Sequence, residues 1–149
     1  MADAYITALT LLSARELSEA QLRTRLKRRQ IDDDDIDAAV TRLKEDRTLN
    51  DRRVAIAIAR MESAIKHRGR SRVIQKIRQA GIDSDTAEDA VREVFQDVDE
   101  EAMLDQAIER KLRGKSSKDL DEKGQARIVR ALAGQGFRLD AILRRLKLQ

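Results

Sequence analysis

The chain has 149 residues, 41% apolar and 39% charged, with no proline, no cysteine and three aromatic residues, Tyr5, Phe95 and Phe137. That length supports one compact domain or a few small stacked units, and the lack of cysteine excludes disulfides, thiolate zinc sites and a cysteine nucleophile. The net charge is only +4; the first 20 residues lack the charged start and apolar run of a signal peptide, and no stretch approaches the ~18 apolar residues of a membrane span, so a cytoplasmic protein with no membrane partner is expected.

Abundant Ala, Leu, Arg, Glu and Asp favour helix throughout. Residues 4–14 form a first helix with Ile6, Leu9 and Leu12 on one face. Ser18 to Gln21 fits a capping box and opens a second helix running to about Arg29, with Leu22 and Leu26 inward. Asp32 to Asp35 reads as an N-cap and acidic first turn rather than a calcium loop, which needs spaced acids, a glycine and a distal glutamate. The third helix follows, with Ile36, Val40 and Leu43 on one face, ending near Arg47. Asn50 and Asp51 start a long helix over 51–66 whose apolar stripe is Val54, Ala55, Ile58, Met61 and Ile65. A helix over 71–80 ends at Gly81, a C′ residue, and Asp83 to Asp85 starts the next, with Ala87, Val91 and Val94 inside. Asp99 to Gly114 is helical, with Met103, Ala107, Ile108 and Leu112 inside, residues 114–124 are linker-like, and helices at about 122–134 and 138–147 complete the chain.

The nine helices repeat in threes. Leu22, Leu26 and Ile31 share their spacing of 4 and 5 with Val73, Ile77 and Ile82 and with Ile128, Leu132 and Phe137. Gln30, Gly81 and Gly136 precede the last member of each set. In the same register stand Ile36, Ala87 and Ile142, then Val40, Val91 and Leu146. A period near 50 residues without a strand signal predicts an all-α fold of three tandem three-helix repeats, over 1–49, 50–97 and 98–149. Units this small pack against their neighbours, giving an elongated stack that can curve.

Charge follows blocks. Residues 51–81 carry 9 basic and 2 acidic residues, 82–123 carry 7 and 14, and 124–149 carry 6 and 1. Within the first block Arg68, Arg70, Arg72, Lys76 and Arg78 cluster at the start and outer face of one helix. They read as contacts for nucleic-acid phosphate or an acidic protein surface, or as a solvated helix face. With almost no aromatic side chain, base stacking is weak, and any nucleic-acid binding is electrostatic and salt-sensitive. His67, the only histidine, has no nucleophile in a recognisable arrangement beside it. Gly114-Lys115-Ser116 has the ending of a phosphate loop, but Glu109 stands where that motif needs glycine. No residue is assigned to catalysis, a cofactor or a metal.

Leu11 to Leu22, Leu49 to Ala55, Arg68-Gly69 through Gly81-Ile82, and Arg127 to Phe137 resemble, in order, four landmarks of the RecX family, regulators of the RecA recombinase. The resemblance implies three tandem three-helix repeats and a monomer acting in recombination, DNA repair and the SOS response. It implies binding along the groove of the RecA–DNA filament, inhibition of filament growth and recombinase activity, and no catalysis. Two departures stand out: Val54 and Ile58 occupy places where the family usually has aromatics, and Gln30 replaces a frequent glycine, which leaves the turn after the second helix less certain. The main rival reading is a general double-stranded nucleic-acid binder without a dedicated protein partner; a third is an adaptor for another acidic protein.

Overall fold

The computed structural model describes residues 3–148. Among them are α1 (Ala4–Ala14), α2 (Glu19–Arg28), α3 (Asp33–Glu45), α4 (Asp51–Arg60), α5 (Arg70–Gln79), α6 (Ser84–Phe95), α7 (Glu100–Leu112), α8 (Glu122–Gly134) and α9 (Leu139–Leu146), with no strand. Three hydrophobic clusters form, one for each consecutive set of three helices. The accessible surface is 9765 Å², against about 7,700 Å² for a compact monomer of 17.0 kDa. Three small cores in a row, rather than one large one, account for the excess.

The spacing of 4 and 5 in the sequence has a structural cause. After α2, α5 and α8 the chain turns through Gln30 (φ 62), Gly81 (φ 81) and Gly136 (φ 100), all left-handed. After α2, the Gln30 N–H donates to the Lys27 carbonyl at 2.9 Å and the Ile31 N–H to the Leu26 carbonyl at 3.3 Å. This is a Schellman closure, in which the residue after the left-handed one packs on the residue five positions earlier. Leu26/Ile31, Ile77/Ile82 and Leu132/Phe137 are those pairs, and all but Ile31 are buried. Gln30 adopts the glycine conformation despite its Cβ, at a cost of about 1–2 kcal/mol. The third helix starts at once: Asp83 accepts from the Thr86 N–H at 3.2 Å, whereas Asp32 occupies the N-cap place without a side-chain cap bond.

Two apolar stripes differ from expectation. In α1 the most buried positions are Ala4 and Ala8; of the expected stripe Leu9 and Leu12 pack partly buried against the core, and Ile6 is 57% exposed. α1 is apolar on most sides, so periodicity points only weakly, and small side chains let it approach α3 closely. In α4 the buried line is Val54, Ala55 and Ala59, continuing to Glu62 and Ser63, while Met61 and Ile65 are exposed. Alanine again sets the close contact, here with α6. The last turn of the expected 51–66 helix, Met61–Ile65, is a wider π turn. It buries the Glu62 carboxylate, which makes no hydrogen bond and whose nearest cation is Lys66 Nζ at 3.4 Å.

The linker-like stretch is anchored. Residues Ser117–Asp119 form a 3-10 turn capped by Ser116. The Ser117 hydroxyl donates to the Leu146 carbonyl at 2.8 Å, and Gln125 Nε2 donates to the Ser117 carbonyl at 2.9 Å. The segment closes the third core and does not separate two units.

The three sets join through their second helices, end to end. The N-terminus of α2 meets the C-terminus of α5, and the N-terminus of α5 meets the C-terminus of α8. Positive and negative helix ends face each other at both joints. At the first, the Ser18 hydroxyl accepts the Gln21 N–H and donates to the Ala80 carbonyl, while the Glu19 N–H donates to Asp51 Oδ1 at 2.8 Å. At the second, the Gly69 N–H donates to the Gln135 carbonyl at 2.8 Å and the Ser71 hydroxyl to the Gly136 carbonyl at 3.0 Å. A Cβ on Gly69 would stand 2.4 Å from the Gly136 oxygen, so no side-chain N-cap fits there.

Candidate nucleic-acid interface

The joint between α5 and α8 sorts the predicted cations. His67 turns the chain in the left-handed region (φ 57), and Gly69 presses against Gly136. Arg68 and Arg70 consequently lie in the linings of different hollows. Arg68 lines a cleft between the second and third helical sets; Arg70 lines a pocket on the opposite flank of the joint, paired with Glu100 at 2.5 Å and 5.2 Å from the Phe95 ring centre. Arg72 is half-buried, donates to Gln75 Oε1 at 2.8 Å and has a buried Nε without a partner. Lys76 lines a groove of about 370 Å³ toward the first set, with Val54, Ile58, Met61 and Glu62. Arg78 is exposed on α5 beside Ile74 and Gln75.

The five residues therefore do not share one outer face, as the cluster in the sequence suggests. At 100° per residue, Arg72 and Lys76 fall on one side of α5 and Arg70 and Arg78 on the other. The two charge blocks also neutralise each other in part: Arg52 pairs with Glu93 at 2.8 Å, and Arg70 with Glu100.

The cleft holding Arg68 brings seven lysines and arginines together. Its volume is about 660 Å³. The second set contributes Lys66, His67 and Arg68; the third contributes Arg110, Lys111, Arg113, Lys115 and Arg127. No carboxylate lines it. Of these cations only Lys66 has an ion-pair partner among the described residues, Glu62. The floor is apolar, from Ala107, Leu112, Leu120, Ile128 and Ala131. The opposite pocket has four arginines, three of them compensated: Arg70 by Glu100, Arg138 by Asp140 at 3.1 Å, and Arg145 by Glu101 at 3.1 Å and Asp105 at 3.4 Å, while Arg144 has no ion-pair partner among the described residues. There Arg138, first, and the Ala141 N–H hold the Asp140 carboxyl below the usual carboxylate range.

The third-set cations escape a reading by charge blocks. Arg110, Lys111, Arg113 and Lys115 sit inside the stretch 82–123, whose 14 acidic residues mask them. The available signal was local: Arg110 to Lys115 holds four cations and no acid. Those four cations span the end of α7 and the turn after it, where Arg113 and Gly114 are both left-handed.

The architecture, tandem three-helix units with separate cores, matches known proteins. A family model described as the first three-helix domain of RecX covers residues 4–43, and one described as the second covers 50–91. A crystal structure of RecX from Lactobacillus salivarius superimposes with a TM-score of 0.80 at 25% identity, covering 98% of this chain and 96% of that one. A second, a crystal structure of regulatory protein RecX, superimposes with a TM-score of 0.82 at 18% identity, covering 98% of this chain and 70% of that one. Among curated sequences, Regulatory protein RecX of Pseudomonas entomophila is 31% identical over 94% of this chain and 87% of its own length. Its counterpart from Syntrophotalea carbinolica is 30% identical over 91% and 88%. The chain belongs to the RecX family.

Proposed function

We propose that this chain is a non-enzymatic regulator of a RecA-type recombinase that binds the recombinase–DNA filament and limits its growth and activity. Membership of a family whose relatives carry the name regulatory protein supports the regulatory role. The observation that carries the contact is the set of cations without carboxylate partners on α5 and in the cleft beside its N-terminus. Unpaired cations keep their charge for an external polyanion, and a cleft with low-dielectric walls focuses their field. In this reading Arg68, Arg72 and Lys76 reach filament DNA or an acidic filament surface. Arg78 contributes from the exposed side of α5, and Arg70 joins only when Glu100 releases it. The units are bounded at 1–49, 50–97 and 98–149, and the protein works as a cytoplasmic monomer. No helix among the described residues is long and apolar enough to cross a membrane.

A second reading, a general duplex nucleic-acid binder, draws on the same cations. ATP hydrolysis by the cognate recombinase on single-stranded DNA separates the two. A filament regulator inhibits hydrolysis well below equimolar recombinase, and Arg68, Arg72 and Lys76 changed together to alanine weakens that inhibition. Inhibition only when DNA is saturated means competition for DNA and favours the general binder. No effect at any ratio sinks the regulatory reading.

A further inference from the structure

The apolar stripe expected inside the 51–66 helix is only partly used by the core. Val54 is buried and Ile58 partly buried, but Met61 and Ile65 are 52% and 71% exposed. Ala57 and Ala64 beside them are exposed too. Val54, Ile58, Met61 and Ile65 follow one another at spacings of 4, 3 and 4. That is the spacing of a helix–helix seam, here about 16 Å long. The chain thus carries one side of a seam and does not supply the other. We propose that this stripe, with the groove of about 370 Å³ beside it, receives an amphipathic helix of a partner protein, apolar along one side and acidic along its edges. The surface is separate from the basic cleft between the second and third sets, and the inference does not depend on the filament reading.

Charge decides the occupant. Two carboxylates line the groove, Glu16 and Glu62, and both are already paired, Glu16 with Arg53 and Glu62 with Lys66 at 3.4 Å. The Glu62 side chain is also buried, so it adds little attraction for a basic partner. Arg15 at the rim of the groove and Arg60 on α4 are exposed and have no ion-pair partner among the described residues. The uncompensated charge beside the stripe is therefore positive, which suits an acidic edge and repels a basic one. A second copy of this chain fits poorly. An antiparallel pairing of two stripes is centred between Ala59 and Arg60, so the two Arg60 side chains would lie near each other. A flat lipid surface fits poorly too, because it meets Met61 and Ile65 but not Ile58, which lies lower in the groove lining. The described residues contain no strand, and so no sheet edge to which an extended peptide could add.

The test uses the full chain without recombinase or DNA and two labelled synthetic helical peptides of about 18 residues. Both carry leucine at the spacing of the stripe; one has glutamate along its edges and the other lysine. Binding is read by fluorescence anisotropy. The stripe variant is Met61→Ser with Ile65→Ser, at exposed positions that leave the fold intact. The edge variant is Arg15→Gln with Arg60→Gln. The control is Ile6→Ser with Leu139→Ser, two apolar residues of similar exposure elsewhere on the chain. The glutamate peptide should bind in the micromolar range, and the lysine peptide about tenfold more weakly or worse. The stripe variant should lose about tenfold or more. The edge variant should lose about threefold or more at low salt, and the control less than about twofold. Absence of glutamate-peptide binding, equal or tighter binding of the lysine peptide, or an equal loss in the control overturns the proposal. So does a dimer of the unaltered chain in sedimentation that the stripe variant abolishes, which identifies a second copy as the occupant. Binding to phosphatidylglycerol vesicles without peptide binding, lost in the stripe variant, overturns it in favour of a lipid surface.

Discussion

The two joints use one backbone device and finish it differently. At each, a helix N-terminus meets the C-terminal turn of the next set's second helix. The first joint is sealed by a side chain: the fully buried Ser18 hydroxyl caps α2 and donates to α5 at once, with Ala20 packed on Gly81. The second is sealed by backbone on backbone, glycine against glycine, with Ser71 displaced two residues into the helix. Beyond the seals, the first joint is flanked by the pair Arg53–Glu16, the second by a cleft of unpaired cations. Both seams have a groove beside them, but only the cleft at the second has cations with no carboxylate in its lining, and that seam carries the proposed contact.

The largest expected effect breaks the second seam. Gly69→Ala places a Cβ on the Gly136 carbonyl. Because the obstacle is backbone, the cost is about 3 kcal/mol or more, read in denaturant unfolding as early loss of the third set. Gly81→Ala costs less, because its obstacle is the Ala20 side chain together with a left-handed φ of 81. Ala20→Gly recovers part of that loss, and no single truncation recovers Gly69→Ala. Equal rescue at both positions would contradict the distinction between the seams.

Ser18→Ala follows, at about 1–3 kcal/mol, since it removes a cap and leaves the buried Ala80 carbonyl unpaired. Ser71→Ala costs less than Ser18→Ala, because its bond is only partly buried. Gln30→Gly runs the other way and stabilises by up to about 1 kcal/mol, as relief of the left-handed strain outweighs the added freedom of the unfolded chain. Thermal midpoints of the variants rank all three.

The smallest effect is a pH dependence in the first set. Burial pushes the Glu19 carboxyl up, but its bonds to Lys44 and Arg23 outweigh this and leave it below its ordinary value of 4.5. A depressed carboxylate contributes stability above its unfolded value and loses it as pH falls through the lower folded value. The first set therefore loosens below about pH 4.5, by less than about 1 kcal/mol. Glu19→Gln flattens that part of the stability profile, and an unchanged profile would contradict the assignment.

Local patterns made much of the fold legible. The three copies of the 4-and-5 spacing, with Gly81 and Gly136 before the last member, carry the chain reversal in their own letters, because a Schellman turn is a local structure. Gln30 hid the same turn because its conformation is enforced by packing around Ile31 and not by its own preference. The stripes of α1 and α4 misled because alanine, weakly hydrophobic in the sequence, marks where helices come closest. The five-cation cluster on the α5 segment was visible, and the helical period alone separates Arg72 and Lys76 from Arg70 and Arg78; what depends on Gly69 meeting Gly136, 67 positions away, is the place of Arg68 in a cleft shared with the third set. The third-set cations were masked differently: Arg110 to Lys115, four cations and no acid, sits inside the acidic stretch 82–123, and a count by blocks hides it.

The growth rate of recombinase filaments on single-stranded DNA tests the central claim, that the unpaired-cation side of the α5–α8 joint is the working surface. Growth should stop at amounts of this protein well below equimolar recombinase. The pair Arg68→Gln with Arg127→Gln should abolish that arrest, and Arg138→Gln with Arg144→Gln should leave it intact. Equal arrest by both variants, or no arrest by the unaltered protein, would contradict it.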